Sequence, residues 1–171
     1  MRAPSDAEFS DFVQAAWPGL YRTAWLLVGD PGLAEDLVQT SLAKTYASWG
    51  RVRDLSAARG YARTVMVNTA SSWFRKRSWK NEVPTGELED VGVERDATDR
   101  VALMDALSQL PPRQRAVVVL RFYEDLSVEQ TAEVLSISPG TVKSQASHAL
   151  EKLRTSLGDA FVTIPEGAHH A

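Results

Sequence analysis

Apolar positions recur at helical spacing along most of the chain, and no stretch of comparable length alternates as a strand would. Phe9, Phe12, Val13 and Ala16 share one face of a first helix. Ser5, with Glu8 three residues on, has the form of a capping box that opens it. Pro18 predicts a break or kink, after which LYRTAWLLVG resumes the pattern. Asp30 before Pro31 predicts a second start: the carboxylate caps, and the fixed φ of proline suits the first turn. Gly50 is the predicted stop. Ser56 is the predicted cap of a third helix, AARGYARTVMVNTASSWFRKRSWK, whose Tyr61, Val65, Met66, Thr69 and Trp73 return to one side. Three or four helices must then cover one another.

The periodicity stops at NEVPTGELEDVGVERDA, which carries Pro84, Gly86 and Gly92 and has the composition of a flexible connector. It resumes from about Thr98 to Leu110, ends at the pair Pro111 and Pro112, and continues through RQRAVVVLRFYED. LSVEQTAEVL follows as a helix capped by Ser127 with Gln130; SISPG is a turn, and TVKSQASHALEKLR is the next helix, with Thr141 at the cap position. Ala132 is small enough for two helices to approach, and Leu135, Ile137 and Val142 fill the corner, as a helix-turn-helix requires. The pattern predicts an all-α chain of two small helical domains: residues 5–80, an acidic linker 81–97, a helix-turn-helix domain 98–157, and a tail 158–171.

The last helix has two characters. Val142, Ala146, Ala149, Leu150 and Leu153 form an apolar stripe. The other face offers Thr141, Lys143, Ser144, Gln145, Ser147, His148 and Lys152, a set suited to a DNA major groove, where glutamine pairs with adenine edges and lysine with guanine. A helical hairpin with a solvated face is the plainer reading of the same residues.

Composition narrows the classes. Of the 171 residues, 44% are hydrophobic and 24% charged, ordinary for a folded globular chain. No apolar run approaches the roughly 20 residues of a membrane span, and MRAPSDAEFS has no signal core, so the expected location is cytoplasmic, without membrane insertion. Without cysteine there is no disulfide framework, thiolate metal site or cysteine nucleophile. His169 and His170 in the tail make a poor metal site by themselves, and no cofactor is expected.

The net charge of −3 conceals a segregation. Residues 51–80 hold eight basic side chains against Asp54 alone; residues 81–100 hold seven acidic ones against Arg95 and Arg100. The basic block suits a polyanion. Tyr61, Trp73, Phe74 and Trp79 interleave it, and such rings can stack on unpaired bases, although Trp73 also falls on the apolar stripe.

LPPRQRAVVVLRFYEDLSVEQTAEVLSISPGTVKSQASHALEKLR resembles region 4 of the sigma-70 family of RNA polymerase sigma factors, in its compact extracytoplasmic-function group and particularly the actinobacterial sigma-E-like members. DPGLAEDLVQTSLAKTYASWG resembles the region 2 helix that docks on the polymerase clamp helices, and YARTVMVNTASSWFRKR the helix that meets the minus-10 promoter element. The resemblance covers roughly residues 8–155. It implies a factor that binds core RNA polymerase at clamp helices and flap, directs it to promoter DNA and assists strand opening, with an anti-sigma factor as a further partner.

By that resemblance Glu35, Asp36, Gln39 and Leu42 contact polymerase; Asp36 and Gln39 match the family's motif. From position alone, Glu35 and Asp36 would equally favour the helix dipole. Tyr61, Arg63, Asn68, Ser72, Arg75, Lys76 and Arg77 are the implied minus-10 set. Within it Asn68 and Arg75 match the family's Asn, Asp, Arg pattern and Ser72 departs from it. The minus-35 set is the polar face above with Arg154. Many relatives carry arginine at Gln145 and a basic residue near Ser147 or His148, so a flatter salt dependence is expected here.

Two other classes fit parts of the chain. A stand-alone helix-turn-helix regulator would bind an operator without polymerase. A nuclease would need assembled carboxylates, but Glu35 and Asp36 are adjacent on different helix faces, and no Walker-type phosphate loop is present. An enzyme is therefore not expected.

Overall fold

The computed structural model describes residues 3–80 and 95–158 and separates the chain into two compact units, residues 1–82 and 83–171. Its described elements are helical, with no strand among the described residues. The all-α expectation holds. The acidic stretch 81–94 and the tail from 159, with His169 and His170, lie outside the described residues, as does the Trp79 side chain.

The first unit packs α1 (Asp6–Val28), α2 (Pro31–Ala47) and α3 (Ala58–Lys80) on one another. The Ser5 capping box is formed as expected: Ser5 Oγ accepts from the Glu8 N–H at 3.3 Å, and Glu8 Oε2 accepts from the Ser5 N–H at 2.6 Å. Pro18 does not break the helix, contrary to the sequence expectation. An interior proline removes one backbone donor and costs about 3 kcal/mol. Burial of Ala16, Leu20, Thr23, Ala24 and Leu27 on both sides of it offsets that cost. Gly29, at φ 74°, ends α1 in the left-handed conformation that glycine adopts without penalty.

Asp30 caps α2 as expected, its Oδ1 accepting from the Leu33 N–H at 2.8 Å. The stop is Ser48, directly after which a short three-residue 3-10 turn, Trp49–Arg51, follows; Gly50 lies inside that turn. The tightening turns Trp49 inward, where it is 2% exposed. Ser56 is likewise not the cap of α3. Asp54 caps a separate 3-10 turn, Leu55–Ala57, accepting from both the Ser56 N–H (2.9 Å) and its hydroxyl (2.6 Å). These bonds hold the Asp54 carboxyl below its ordinary pKa.

Packing also revises the buried stripe of α3. Ala58, Ala62, Met66, Val67, Thr69 and Ala70 face the core, whereas Tyr61 is 44% exposed. Ala58, Ala62 and Ala70 are small residues on this buried side of α3, which packs against α2.

The second unit contains α4 (Arg95–Ser108), α5 (Pro112–Val118), α6 (Val128–Leu135) and α7 (Pro139–Leu157). The expected continuous helix through RQRAVVVLRFYED widens into a π-helical segment, Val119–Tyr123, with the Glu124 N–H donating to the Val119 carbonyl. The widening keeps Val119 and Leu120 buried while Phe122 and Tyr123 emerge. Arg115 of α5 is also buried, and desolvation pulls its guanidinium down to about 10.

The helix-turn-helix follows. Ser127 and Gln130 form the expected capping box of α6. Ser136 turns the chain at φ 54°, and the Ile137 N–H returns to the Ala132 carbonyl at 3.1 Å. The cap of α7 is Ser138, not Thr141: Ser138 Oγ accepts from the Thr141 N–H at 3.1 Å, with Pro139 at the first helical position. Val117, Val128, Ala132 and Val142 form the corner, with Leu135, Ile137 and Ala146 against it.

Candidate nucleic-acid and polymerase interfaces

On α2, Glu35, Asp36 and Gln39 are exposed, and Gln39 Nε2 donates to Glu35 Oε1 at 3.1 Å, so the two lie along one strip. Leu42 does not join them. It is 6% exposed and belongs to the core of the first unit, one turn on but rotated inward. Exposed Ala43 continues the strip instead, leaving it polar with a small apolar end.

On α3, Tyr61, Asn68, Arg75 and Lys76 are exposed, while Arg63, Ser72 and Arg77 are half-buried. Asn68, Ser72 and Arg75 keep the four-and-three spacing of one flank. Trp73 and Phe74 are half-buried, each between core and surface.

Tyr61 stands beside a cleft of about 300 Å³ lined by Ser48, Arg51, Arg53, Asp54 and Ala57. That cleft was not legible as a site in the sequence, where Arg51 and Arg53 counted only as charge. The one available signal was the run RVRD immediately ahead of the tyrosine-bearing helix. Folding puts two guanidinium groups, a carboxylate and an exposed ring around a space large enough for a planar base. Guanidinium groups recognise phosphate and base acceptors, and a carboxylate accepts from amino groups.

On α7, Lys143, Ser144, Ser147, His148, Lys152 and Arg154 are exposed, with Thr141 and Gln145 half-buried. At about 100° per residue they spread over an arc of about 200° opposite the buried stripe, with Lys143, Ser147 and Arg154 at one edge, Ser144 and His148 in the middle, and Thr141, Lys152 and Gln145 toward the other. His148 and Lys152 also line a cleft with residues of α4 and α5. The polar side expected for this helix is one broad face.

No described helix is long and apolar enough to cross a membrane, and the described residues contain no cluster of three or more His, Cys, Asp or Glu that could hold a metal ion.

Comparison with known proteins agrees over both units. Residues 12–80 match the family model described as Sigma-70 region 2, and residues 100–153 that described as Sigma-70, region 4. The chain is 46% identical to the RNA polymerase sigma-E factor of Streptomyces avermitilis over 88% of this chain and 85% of that protein. It is 33% identical to the ECF RNA polymerase sigma factor SigL of Mycobacterium tuberculosis, over 84% of this chain and 85% of the relative. Among solved structures, the sigma factor RpoE of Bartonella quintana, in complex with the anti-sigma factor NepR, superposes with a TM-score of 0.73 at 26% identity, covering 87% of this chain and 96% of that one.

Proposed function

The chain belongs to the sigma-70 family, in its extracytoplasmic-function group, and on that premise we propose which residues carry each step of initiation. As a sigma factor it binds core RNA polymerase, directs it to specific promoters and assists strand opening. Glu35, Asp36 and Gln39 form the clamp-docking strip. Thr141, Lys143, Ser144, Gln145, Ser147, His148 and Lys152 read or hold the minus-35 element, with Arg154 on a backbone phosphate. Tyr61, Arg63, Asn68, Ser72, Arg75, Lys76 and Arg77 act on the minus-10 element.

The observation that carries the opening step is Tyr61, held outside the core beside the Arg51–Asp54 cleft. Opening DNA without ATP requires that the lost base stacking be offset by binding. A base stacked on an aromatic ring contributes roughly 1–3 kcal/mol, and basic side chains along the strand supply the rest. An unstacked base held at Tyr61, with its phosphates on Arg51 and Arg53, provides both. No reacting side chain is required, so the factor is not an enzyme. It works where the polymerase works, in the cytoplasm. Residues 81–94 join α3 to α4, which begins at Arg95 and not at the expected 98, and an anti-sigma protein covering these surfaces is the expected antagonist, as NepR is the partner of the Bartonella protein.

The test is transcription from a defined promoter with purified core polymerase. Asp36→Arg should abolish association with core. Asn68→Ala and Tyr61→Ala should leave association intact and reduce open-complex formation. Tight operator-type binding by the free protein, with no association with core, would instead establish a stand-alone regulator.

A further inference from the structure

Lys44 belongs to none of the surfaces assigned above, yet it is the one cation of α2 and the fold holds it in place. It lies about 100° around the helix from Ala43, turned away from the clamp-docking strip and toward α3. The residue is exposed, and its Nζ donates to Thr69 Oγ1 of α3 at 3.1 Å. Thr69 is 3% exposed, and its hydroxyl donates in turn to the Val65 carbonyl at 2.7 Å, so the oxygen that receives Lys44 is itself fixed.

Thr69 marks the seam between two sides of α3. At about 100° per residue, buried Ala62 and Met66 fall about 20° and 60° to one side of it, while Lys76, Ser72, Tyr61 and Asn68 fall about 20–100° to the other. The Lys44 ammonium is thus held at the edge of the face assigned to the minus-10 element, brought there from a different helix. An ammonium has three donors, of which Thr69 takes one. Helix α3 has no Asp or Glu, and Glu35 and Asp36 precede Lys44 by about 12 Å or more along the axis of α2. Neither helix therefore supplies a carboxylate to neutralise the charge. Lysine ordinarily loses much rotamer freedom when it binds an anion; the bond to Thr69 has already restricted it, which favours capture of one.

We infer that Lys44 is a further promoter-contacting residue, its ammonium holding a backbone phosphate of the strand whose bases Tyr61 and Asn68 engage. The inference rests on the assignment of that face to the minus-10 element. A phosphate held there touches α2 and α3 together, and so joins the helix that docks on polymerase to the helix that opens DNA.

The test measures binding of the holoenzyme to a fluorescent single-stranded oligonucleotide carrying the non-template minus-10 element of a defined promoter, from about 50 to 300 mM salt. The full chain is compared with Lys44→Met, Lys44→Arg and Asn68→Ala. Each phosphate contact on a single strand contributes about 0.7 to the log–log salt slope. Lys44→Met should lower the slope by about that amount and weaken binding about threefold to tenfold at the lowest salt, whereas Lys44→Arg should keep the slope. Core association, read by pull-down, should be unchanged in both. A purely structural tie between α2 and α3 would instead lower the urea midpoint of Lys44→Met and leave its slope as it was. An unchanged slope in Lys44→Met, with Asn68→Ala still weakening binding, would overturn the inference alone. No effect of either variant would overturn the minus-10 assignment and the inference with it. Loss of core association in Lys44→Met would equally overturn the inference, by placing Lys44 in the docking surface.

Discussion

The indole N–H of Trp49 donates to the backbone carbonyl of Ser5 at 3.0 Å, 44 positions away in sequence, and so ties the end of α2 to the cap of α1. The same ring lies within 4.9 Å of Phe9 and stacks on Phe12 at 5.3 Å between centroids. Trp49→Phe keeps an aromatic ring but loses the bond and part of the volume. The expected destabilisation of the first unit is about 1–3 kcal/mol, read from urea unfolding followed by circular dichroism.

Beside it, the Tyr46 hydroxyl donates to Asp6 Oδ1 at 2.9 Å. That bond, followed by the charge of Asp6, raises the Tyr46 pKa above 10. A group with a raised folded pKa contributes stability that is fully present below its unfolded pKa and is lost as pH rises through the folded value. The contribution of this pair should therefore disappear only in alkaline solution. Asp6→Asn should bring one tyrosine's titration down toward the ordinary value, seen as phenolate absorbance appearing at lower pH. An unchanged titration curve would show that the pair does not form in solution.

Thr131 is fully buried in α6, and its Oγ1 has no hydrogen-bond partner. Thr131→Val retains the shape and removes the buried hydroxyl. It should raise the stability of the second unit by about 1–2 kcal/mol, measured as a higher urea midpoint with an unchanged slope.

Lys143 is exposed on the α7 face it shares with Ser147 and Arg154. As a phosphate contact, its replacement by alanine should weaken promoter binding by the holoenzyme at every sequence tested and reduce the log–log salt slope by about 1. Gln145→Arg should steepen the slope by a similar amount. A change in base preference without a change in slope would make Lys143 a base-reading residue instead.

Asp36 is exposed, so Asp36→Arg should change stability by no more than about 0.5 kcal/mol while abolishing pull-down of core polymerase. Leu42→Ala should do the reverse. It empties space in the core and costs about 2–5 kcal/mol, with any loss of polymerase binding following the loss of fold.

The helices and most of their starts were legible in the sequence because they depend on local chemistry. Ser5 with Glu8, Asp30 with Pro31, and Ser127 with Gln130 satisfy orphan amides within one turn, whatever the rest of the chain does. The segregation of charge between residues 51–80 and 81–100 is likewise a property of order alone. Tertiary packing decided the remainder. Pro18 stays inside α1 because burial along that helix outweighs a local cost, and α2 stops before Gly50 so that Trp49 can reach Ser5. Whether Leu42 or Tyr61 faces core or solvent depends on which neighbours leave room, a relation between helices that periodicity within one helix does not contain. The Arg51–Tyr61 cleft and the Lys44–Thr69 bond arise for the same reason. Arg51 meets Tyr61, and Lys44 meets Thr69, only after separate elements have packed, because side chains distant along the chain converge only when burial fixes the helices that carry them.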